Sequence, residues 1–221
     1  MLEEFRLDGR VAVVTGSARG LGFEIARGMA AAGARVYING TSDERLEAAA
    51  RRLQGLGVEV AVACFDVTDE TLAARSLDKI ACETGRLDIL VNNVGVRMRE
   101  PLEHIGSAEL RRMLDVDLVS AFTLAKLAAP VMGKGGYGRI INVSSIAALR
   151  GRVGDAAYII VKGAMNAMTR SLAAEFGPLG ITCNALMPGG FLTETNENLK
   201  TPEMERMFKT RMPLGRAGNP P

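Results

Sequence analysis

VAVVTGSARGLG, residues 11–22, is the stretch on which the fold turns. Val11 to Val14 are apolar and mostly β-branched, so they form a strand with no polar face, as a strand covered on both sides requires. Thr15-Gly16-Ser17-Ala18-Arg19-Gly20-Leu21-Gly22 then turns into an Ala-rich helical segment. Glycines in such a turn remove the Cβ atoms that would keep backbone N–H groups and the helix N-terminus away from a pyrophosphate. Spacing alone is weak, because 25 glycines in 221 residues give a G-x-x-x-G-x-G match by chance about 0.3 times per chain. Its place between strand and helix gives it weight over the alternative, a tight packing turn. Gly16, Ser17, Arg19, Gly20, Leu21 and Gly22 are therefore candidate dinucleotide-binding residues.

Outward from this turn, short β-branched runs alternate with longer Ala-, Leu- and Arg-rich segments, the pattern of βα units feeding a parallel sheet. Strands are predicted near 10–15, 35–39, 58–64, 88–91, 138–143 and 181–186, with helices between them. Ser107 and Asp155 are the predicted N-caps of the two long central helices. No repeat, low-complexity tract or linker interrupts the series. The prediction is a single α/β domain over 1–221, a Rossmann-type doubly wound parallel sheet with helices on both faces.

Composition excludes several classes. Lys and Arg number 27 against 25 acidic residues, without a polybasic run, which argues against a nucleic acid or an anionic membrane as partner. Apolar stretches are broken by Gly, Asn or charge before the roughly 18 residues of a membrane span, and MLEEFRLDGR at 1–10 lacks the apolar run of a secretory signal. Cys64, Cys82 and Cys183 are far apart and His104 is the sole histidine, so neither a metal site nor a disulfide framework is expected. A reducing cytoplasm is the expected location. His104 is expected on the surface or in a loop.

The chemistry concentrates in DAAYIIVKGAM, residues 155–165. Tyr158 and Lys162 stand four apart, so on a helix they share a face. A phenol with a reference pKa near 10 exchanges protons poorly at neutral pH, and a nearby ammonium stabilises the phenolate. Three tyrosines and six lysines would give this spacing by chance only about 0.08 times. Asn142-Val143-Ser144-Ser145 closes the preceding strand at the carboxyl end of the sheet, where open α/β folds bind ligands. A serine hydroxyl there can hold a substrate oxygen while Tyr158 exchanges its proton.

With these elements together, the sequence resembles the short-chain dehydrogenase/reductase family from Gly9 to its last residue. The matching stretches are TGSARGLG (15–22), FDVTD (65–69), VNNVG (91–95), GRIINVSS (138–145), YIIVK (158–162) and NALMPGGFLT (184–193). The resemblance implies a seven-stranded Rossmann sheet, NADP or NAD as cofactor, a secondary alcohol or ketone as substrate, and a homodimer or homotetramer. It implies Ser145 as substrate-oxygen ligand, Tyr158 as general acid/base, and Lys162 as ribose ligand and modifier of the tyrosine pKa. Asp66 and Val67 would flank the adenine, Asn93 and Gly95 would line the cofactor groove, and Pro188, Gly189, Phe191 and Thr193 would lie in the segment holding the carboxamide.

Two departures stand out. Asp117, in DVDL, occupies the place of an Asn that the family places in a water relay from the lysine; an aspartate is expected to favour the lysine charge and weaken the relay. The family also continues past a PLGR-like segment to a last strand, so the protein is expected to extend beyond Pro221, with MPLGRAGNPP leading into another helix. Without that strand, ITCNALM (181–187) would be a bare sheet edge.

Within the family, GARVYINGT (33–41) and NNVGVRMREPLE (92–103) look like gluconate 5-dehydrogenase-type sugar-acid reductases, and 3-oxoacyl-carrier-protein reductases are the other close resemblance. Arg97, Arg99, Arg150 and Arg152 follow strands at the site end and can clamp a carboxylate or phosphate. NADP is the preferred coenzyme on this reading: the second strand ends in Asn39-Gly40-Thr41-Ser42 with no acid to repel a 2′-phosphate, and Thr41, Ser42 and Arg19 can donate to one. A non-catalytic nucleotide-binding protein is the rival reading from another class, and the intact Ser145, Tyr158 and Lys162 set argues against it.

Overall fold

Strand β1 (Val11–Val14) is buried at all four positions and lies inside a sheet that pairs only in parallel. The computed structural model describes residues 3–98, 100–194 and 201–220. Among them the sheet has six strands in the order β3-β2-β1-β4-β5-β6. The others are β2 (Arg35–Gly40), β3 (Val60–Cys64), β4 (Ile89–Asn92), β5 (Gly138–Val143) and β6 (Ile181–Leu186). Chain order reverses between β1 and β4, which opens a crevice at the carboxyl ends of those two strands. Val14 lies level with Ile38 on one side and Val91 on the other, so the loops after β1, β2 and β4 emerge together.

Period-two alternation along β1 decides which helix meets which face. Ala12 and Val14 pack with Phe23 and Ala26 of α1 (Gly20–Ala31) and with Leu46 and Leu53 of α2 (Asp43–Gly55). Val11 and Val13 pack on the opposite face with Leu77 and Ile80 of α3 (Glu70–Thr84) and with Leu124, Ala128 and Met132 of a long helix over Ser107–Lys134. That helix comprises α4 (Ser107–Met113), a π-helical stretch Leu114–Val119 and α5 (Ser120–Lys134). By length and composition it is apolar enough to cross a membrane, with Asp117 and Lys126 as the charges that interrupt its apolar run. Its apolar face instead covers the sheet. Helices α6 (Ala156–Phe176) and α7 (Pro202–Arg211) complete the layers around the site.

All six predicted strands are present, with ends shifted by up to two residues. Strand β3 begins at Val60 because the Val58 N–H closes α2 by donating to the Leu53 carbonyl at 3.1 Å. Of the two predicted caps, one is displaced and the other holds its position without capping through its side chain. Ser107 is the first residue of α4, not its cap, and its hydroxyl accepts from Arg111 at 3.1 Å. Asp155 stands at the cap position of α6 without a side-chain cap bond. Its carboxylate meets Arg97 at 2.8 Å and Arg152 at 3.7 Å, a charge-assisted pairing stronger than a bond to a neutral N–H. MPLGRAGNPP does not open a helix within the described residues. Helix α7 precedes it, and the segment turns back so that Gly218 donates to the Gly190 carbonyl at 2.8 Å. His104 ends a short 3-10 turn and is exposed, as expected.

The amino ends of the strands are clipped by Asp88, which is buried. Its carboxylate accepts from the Val11 N–H at 2.9 Å, from Arg86 at 2.6 and 2.7 Å, and from Arg10 at 3.1 Å. Arg10 and Arg139 both stack on Tyr137, at 3.7 and 4.1 Å from the ring centre. Burial pushes the Asp88 carboxyl up, but Arg86, the Val11 N–H and Arg10 outweigh it and hold the group below the usual carboxylate range. A depressed folded pKa contributes stability above the unfolded value, near 4, and loses it as pH falls through the folded value. Asp88→Ala is therefore expected to cost about 2 kcal/mol in urea unfolding at pH 7. The deficit should shrink as the pH falls below about 4, and a deficit equal at pH 7 and pH 3 would contradict the assignment.

Candidate active site

The glycine turn after β1 is built by close approach. Gly16 has φ +59° and Gly20 φ +62°, backbone conformations that a side chain strains. A Cβ on Gly22 would lie 2.5 Å from both Asn93 Nδ2 and the Gly16 carbonyl. Asn93 holds the turn by donating to the Thr15 and Gly16 carbonyls at 2.9 and 3.0 Å, while its own N–H reaches the Thr15 hydroxyl at 2.9 Å. Gly20, Leu21 and Gly22 start α1, and the first N–H groups of a helix have no carbonyl partner within it and are left for an outside acceptor. Arg19, at the cap position, is exposed.

Ser17 does not face the groove. Its hydroxyl donates to the Val14 carbonyl at 2.6 Å and accepts from the Asn39 N–H at 2.9 Å, and its N–H donates to the Asn39 carbonyl at 2.9 Å. Asn39 is the partner that the sequence reading overlooked. Fully buried at the end of β2, it donates to the Ala63 and Phe65 carbonyls at 3.0 Å each and accepts from the Gly16 N–H at 3.4 Å. Its signal was an amide at the end of an otherwise apolar strand.

The second part of the site lies on α6. Lys162 is buried, donates to the Val143 carbonyl at 3.1 Å, and has its ammonium 3.0 Å from Asp117 Oδ2. Asp117 Oδ1 accepts the Val96 N–H at 2.7 Å. Burial pushes the Asp117 carboxyl above the ordinary carboxylate range, against the opposing pull of Lys162 and the Val96 N–H. The Lys162 ammonium stands 5.8 Å from the centre of the Tyr158 ring, and the Arg97 guanidinium lies over that ring at 4.7 Å. Ser144 donates to the Lys162 carbonyl at 3.1 Å, fixing α6 to the end of β5. Ser145 Oγ accepts the Ala147 N–H at 3.1 Å, which leaves its own hydrogen for another acceptor.

Two cavities flank these groups. One, of about 840 Å³, is lined by Asn39, Thr41, Asp66, Val67, Val94 and Val96, among others. Asp66 takes both the N–H and the hydroxyl of Thr68, at 2.9 and 2.7 Å, which shapes the loop after β3. The other, of about 590 Å³, contains Ser145, Gly189, Arg97, Arg150 and Arg152. Helix α7 walls it with Met204, Met207 and Phe208, and adds Arg211, which lies too far along the chain for sequence reading to associate with the rest. The Pro188 carbonyl accepts from the Ile146 N–H at 3.2 Å and Thr193 is buried, so the segment after β6 is tied down beside Ser145. Arg99 lies outside the described residues. Among the described residues no group of three metal-ligating side chains occurs.

A parallel sheet with a glycine turn at its switch point defines a Rossmann-type dinucleotide-binding protein. The match to the short chain dehydrogenase family model spans residues 10–204. A gluconate 5-dehydrogenase of Gluconobacter oxydans is 34% identical over 215 residues, 97% of this chain and 84% of the relative. A 3-oxoacyl-[acyl-carrier-protein] reductase of Aquifex aeolicus is 34% identical over 218 residues, 98% of this chain and 88% of the relative. The solved structure of a gluconate 5-dehydrogenase from Burkholderia cenocepacia, in complex with NADP and tartrate, matches with TM-score 0.92 at 36% identity. It covers 99% of this chain and 86% of that one. The chain belongs to the short-chain dehydrogenase family and is an NAD(P)-dependent oxidoreductase.

The packing at Gly22 makes this testable. A methyl group there meets an amide nitrogen and a backbone carbonyl that have nowhere to go, so Gly22→Ala is expected to weaken NADPH binding at least about tenfold, or 1.4 kcal/mol. Fluorescence titration of the folded variant reads this directly, and wild-type affinity would mean that the turn does not meet the cofactor.

Proposed function

We propose that the protein interconverts a hydroxy acid and the corresponding keto acid, most specifically a sugar acid of the gluconate/5-ketogluconate kind, using NADP in preference to NAD. The observation that carries this is the cavity at Ser145, where Arg97, Arg150, Arg152 and Arg211 face a single lining carboxylate, Asp155. Guanidinium groups in excess over acids favour an anionic substrate, and their planar forks suit a carboxylate. The tartrate in the Burkholderia relative is itself a hydroxy acid.

On this reading the turn from Gly16 to Gly22 receives the pyrophosphate, the larger cavity takes the adenosine end beside Asp66 and Val67, and Gly95 and Asn93 line the way to Lys162. Pro188, Gly189, Phe191 and Thr193 belong to the segment that holds the carboxamide. When bound, the nicotinamide supplies or accepts the hydride. Ser145 donates a hydrogen bond to the substrate oxygen. Tyr158 gives its proton to that oxygen in reduction and takes it back in oxidation, while the Lys162 ammonium binds the ribose and stabilises the phenolate. Exposed Val119, Phe122 and Ile160 offer apolar surface for a homodimer or homotetramer.

Preference for NADP rests on the end of β2. Asn39 is turned inward, Thr41 lines the larger cavity, and β2 ends without a carboxylate, the first acid after it being Asp43. Ser42 accepts the Arg45 N–H at 3.4 Å as the cap of α2 and still has a hydrogen to donate. Steady-state constants with both coenzymes are expected to give the higher kcat/KM with NADP; the reverse order would overturn the preference.

Reduction of 5-ketogluconate and of an acetoacetyl thioester separates the sugar-acid reading from the acyl-carrier-protein one, with faster turnover expected for the keto acid. Tyr158→Phe should lower kcat by about 10²-fold or more while leaving NADPH affinity within about twofold. Retention of more than about a tenth of the wild-type rate would remove Tyr158 from its role.

A further inference from the structure

The ammonium that faces Tyr158 is not an isolated charge. Lys162 and Asp117 are paired at 3.0 Å with side chains 4% and 0% exposed. A Cβ on Gly95 would come within 2.8 Å of Asp117 Oδ2 and 3.1 Å of Lys162 Nζ, so the pair fills the space against that backbone. Asp117 reaches it from the π-helical stretch Leu114–Val119, a kind of irregularity that often marks functional positions. An amide at this position would accept the same Val96 N–H and leave the lysine charge uncompensated.

Resting on the reading of Tyr158 as the proton carrier, we propose that Asp117 is a positioning residue that cancels much of the Lys162 field at Tyr158. The phenol is thereby kept protonated to higher pH, which extends ketone reduction upward and confines alcohol oxidation to more alkaline conditions. Opposite charges at 3.0 Å act on a third group as a dipole, whose influence falls faster with distance than that of a lone ammonium. The carboxylate at 3.0 Å also offsets part of the cost of burying the ammonium.

Of the other charged groups around Tyr158, the one over the ring has a carboxylate partner. From the loop after β4, Arg97 lies over the ring but is paired with Asp155 at 2.8 Å. Arg152, ahead of α6, leans on the same carboxylate at 3.7 Å. Arg150, after the 3-10 turn that follows Ser145, lines the substrate cavity. On the long helix, Asp115, Arg111 and Arg112 line the other cavity. Neutralising Asp117 leaves the Lys162 ammonium, 5.8 Å from the ring centre, without its carboxylate, while the pairing of Arg97 with Asp155 is unchanged.

In reduction the phenol O–H bond breaks, the substrate oxygen gains that proton, the carbonyl carbon gains the hydride of NADPH, and solvent reprotonates the tyrosine. Profiles of kcat/KM against pH should therefore rise for oxidation and fall for reduction about the ionisation of Tyr158. In Asp117→Asn both midpoints are expected to move down by about one pH unit. Midpoints that stay in place while the rate drops at every pH would reduce Asp117 to a structural support and overturn the proposal. If the Asn variant fails to fold, Asp117→Ser removes the same charge, keeps a small acceptor for Val96, and is judged by the same midpoints. Tyr158→Phe separates the two ideas. If that variant is active, the acid/base reading falls; if it is inactive and the Asp117→Asn midpoints are unmoved, only the role of Asp117 falls.

Discussion

A buried ammonium sets the terms for the catalytic half of this molecule. Taking a charge of that size out of water costs several kcal/mol even after relaxation, so Lys162 is tolerable only with partners fixed in advance. Those partners come from three directions: the Val143 carbonyl at the end of β5, the carboxylate of Asp117 on the long helix, and the Ser144 hydroxyl, which ties down the lysine's own carbonyl. The glycine at position 95 and the widened helical turn at 114–119 make geometric sense as accommodations to that demand. A single functional group thus dictates a bare backbone position and an irregular helix, both far from it in sequence.

The crevice depends on polar groups that never reach its surface. Asn39, Asn92, Asn142 and Ser17 are buried at strand ends and bond to one another's neighbours or to backbone carbonyls across the sheet. Asn92 donates to Asn142 at 2.8 Å, and Asn142 donates to Thr169 of α6 at 2.9 Å, so the last residues of β4 and β5 are linked to the helix that carries Tyr158 and Lys162. Buried networks of this sort rigidify the point at which precision is needed.

The architecture was legible because the strands are largely apolar and β-branched and the segments between them helix-forming, so each local choice agrees with the global one. Gly16, Gly22, Tyr158 and Lys162 stood out for a different reason: the chemistry proposed for them depends on short spacings that sequence preserves. Where reading failed, the cause was long-range. Asp155 sits where a helix cap belongs, and only the folded chain shows that Arg97, from 58 positions earlier, claims its carboxylate. Ser17 reads as part of a phosphate turn, yet the inward path of β2 draws its hydroxyl into the sheet. Arg211 enters the cavity beside Ser145 on a helix whose docking no local pattern announces.

The two ends of the sheet answer to separate demands. Asp88, Arg10, Arg86 and the stacked Tyr137 fasten the strands where they begin, while the groups proposed to meet cofactor and substrate stand where the strands finish. Loops at the finishing end, including the arginine-bearing 150–155 segment and α7, can therefore be exchanged or reshaped without loosening the fastening below. A scaffold divided in this way can acquire a new substrate while its folding remains insured at the opposite pole, which makes the pocket the natural place for this chain to diverge.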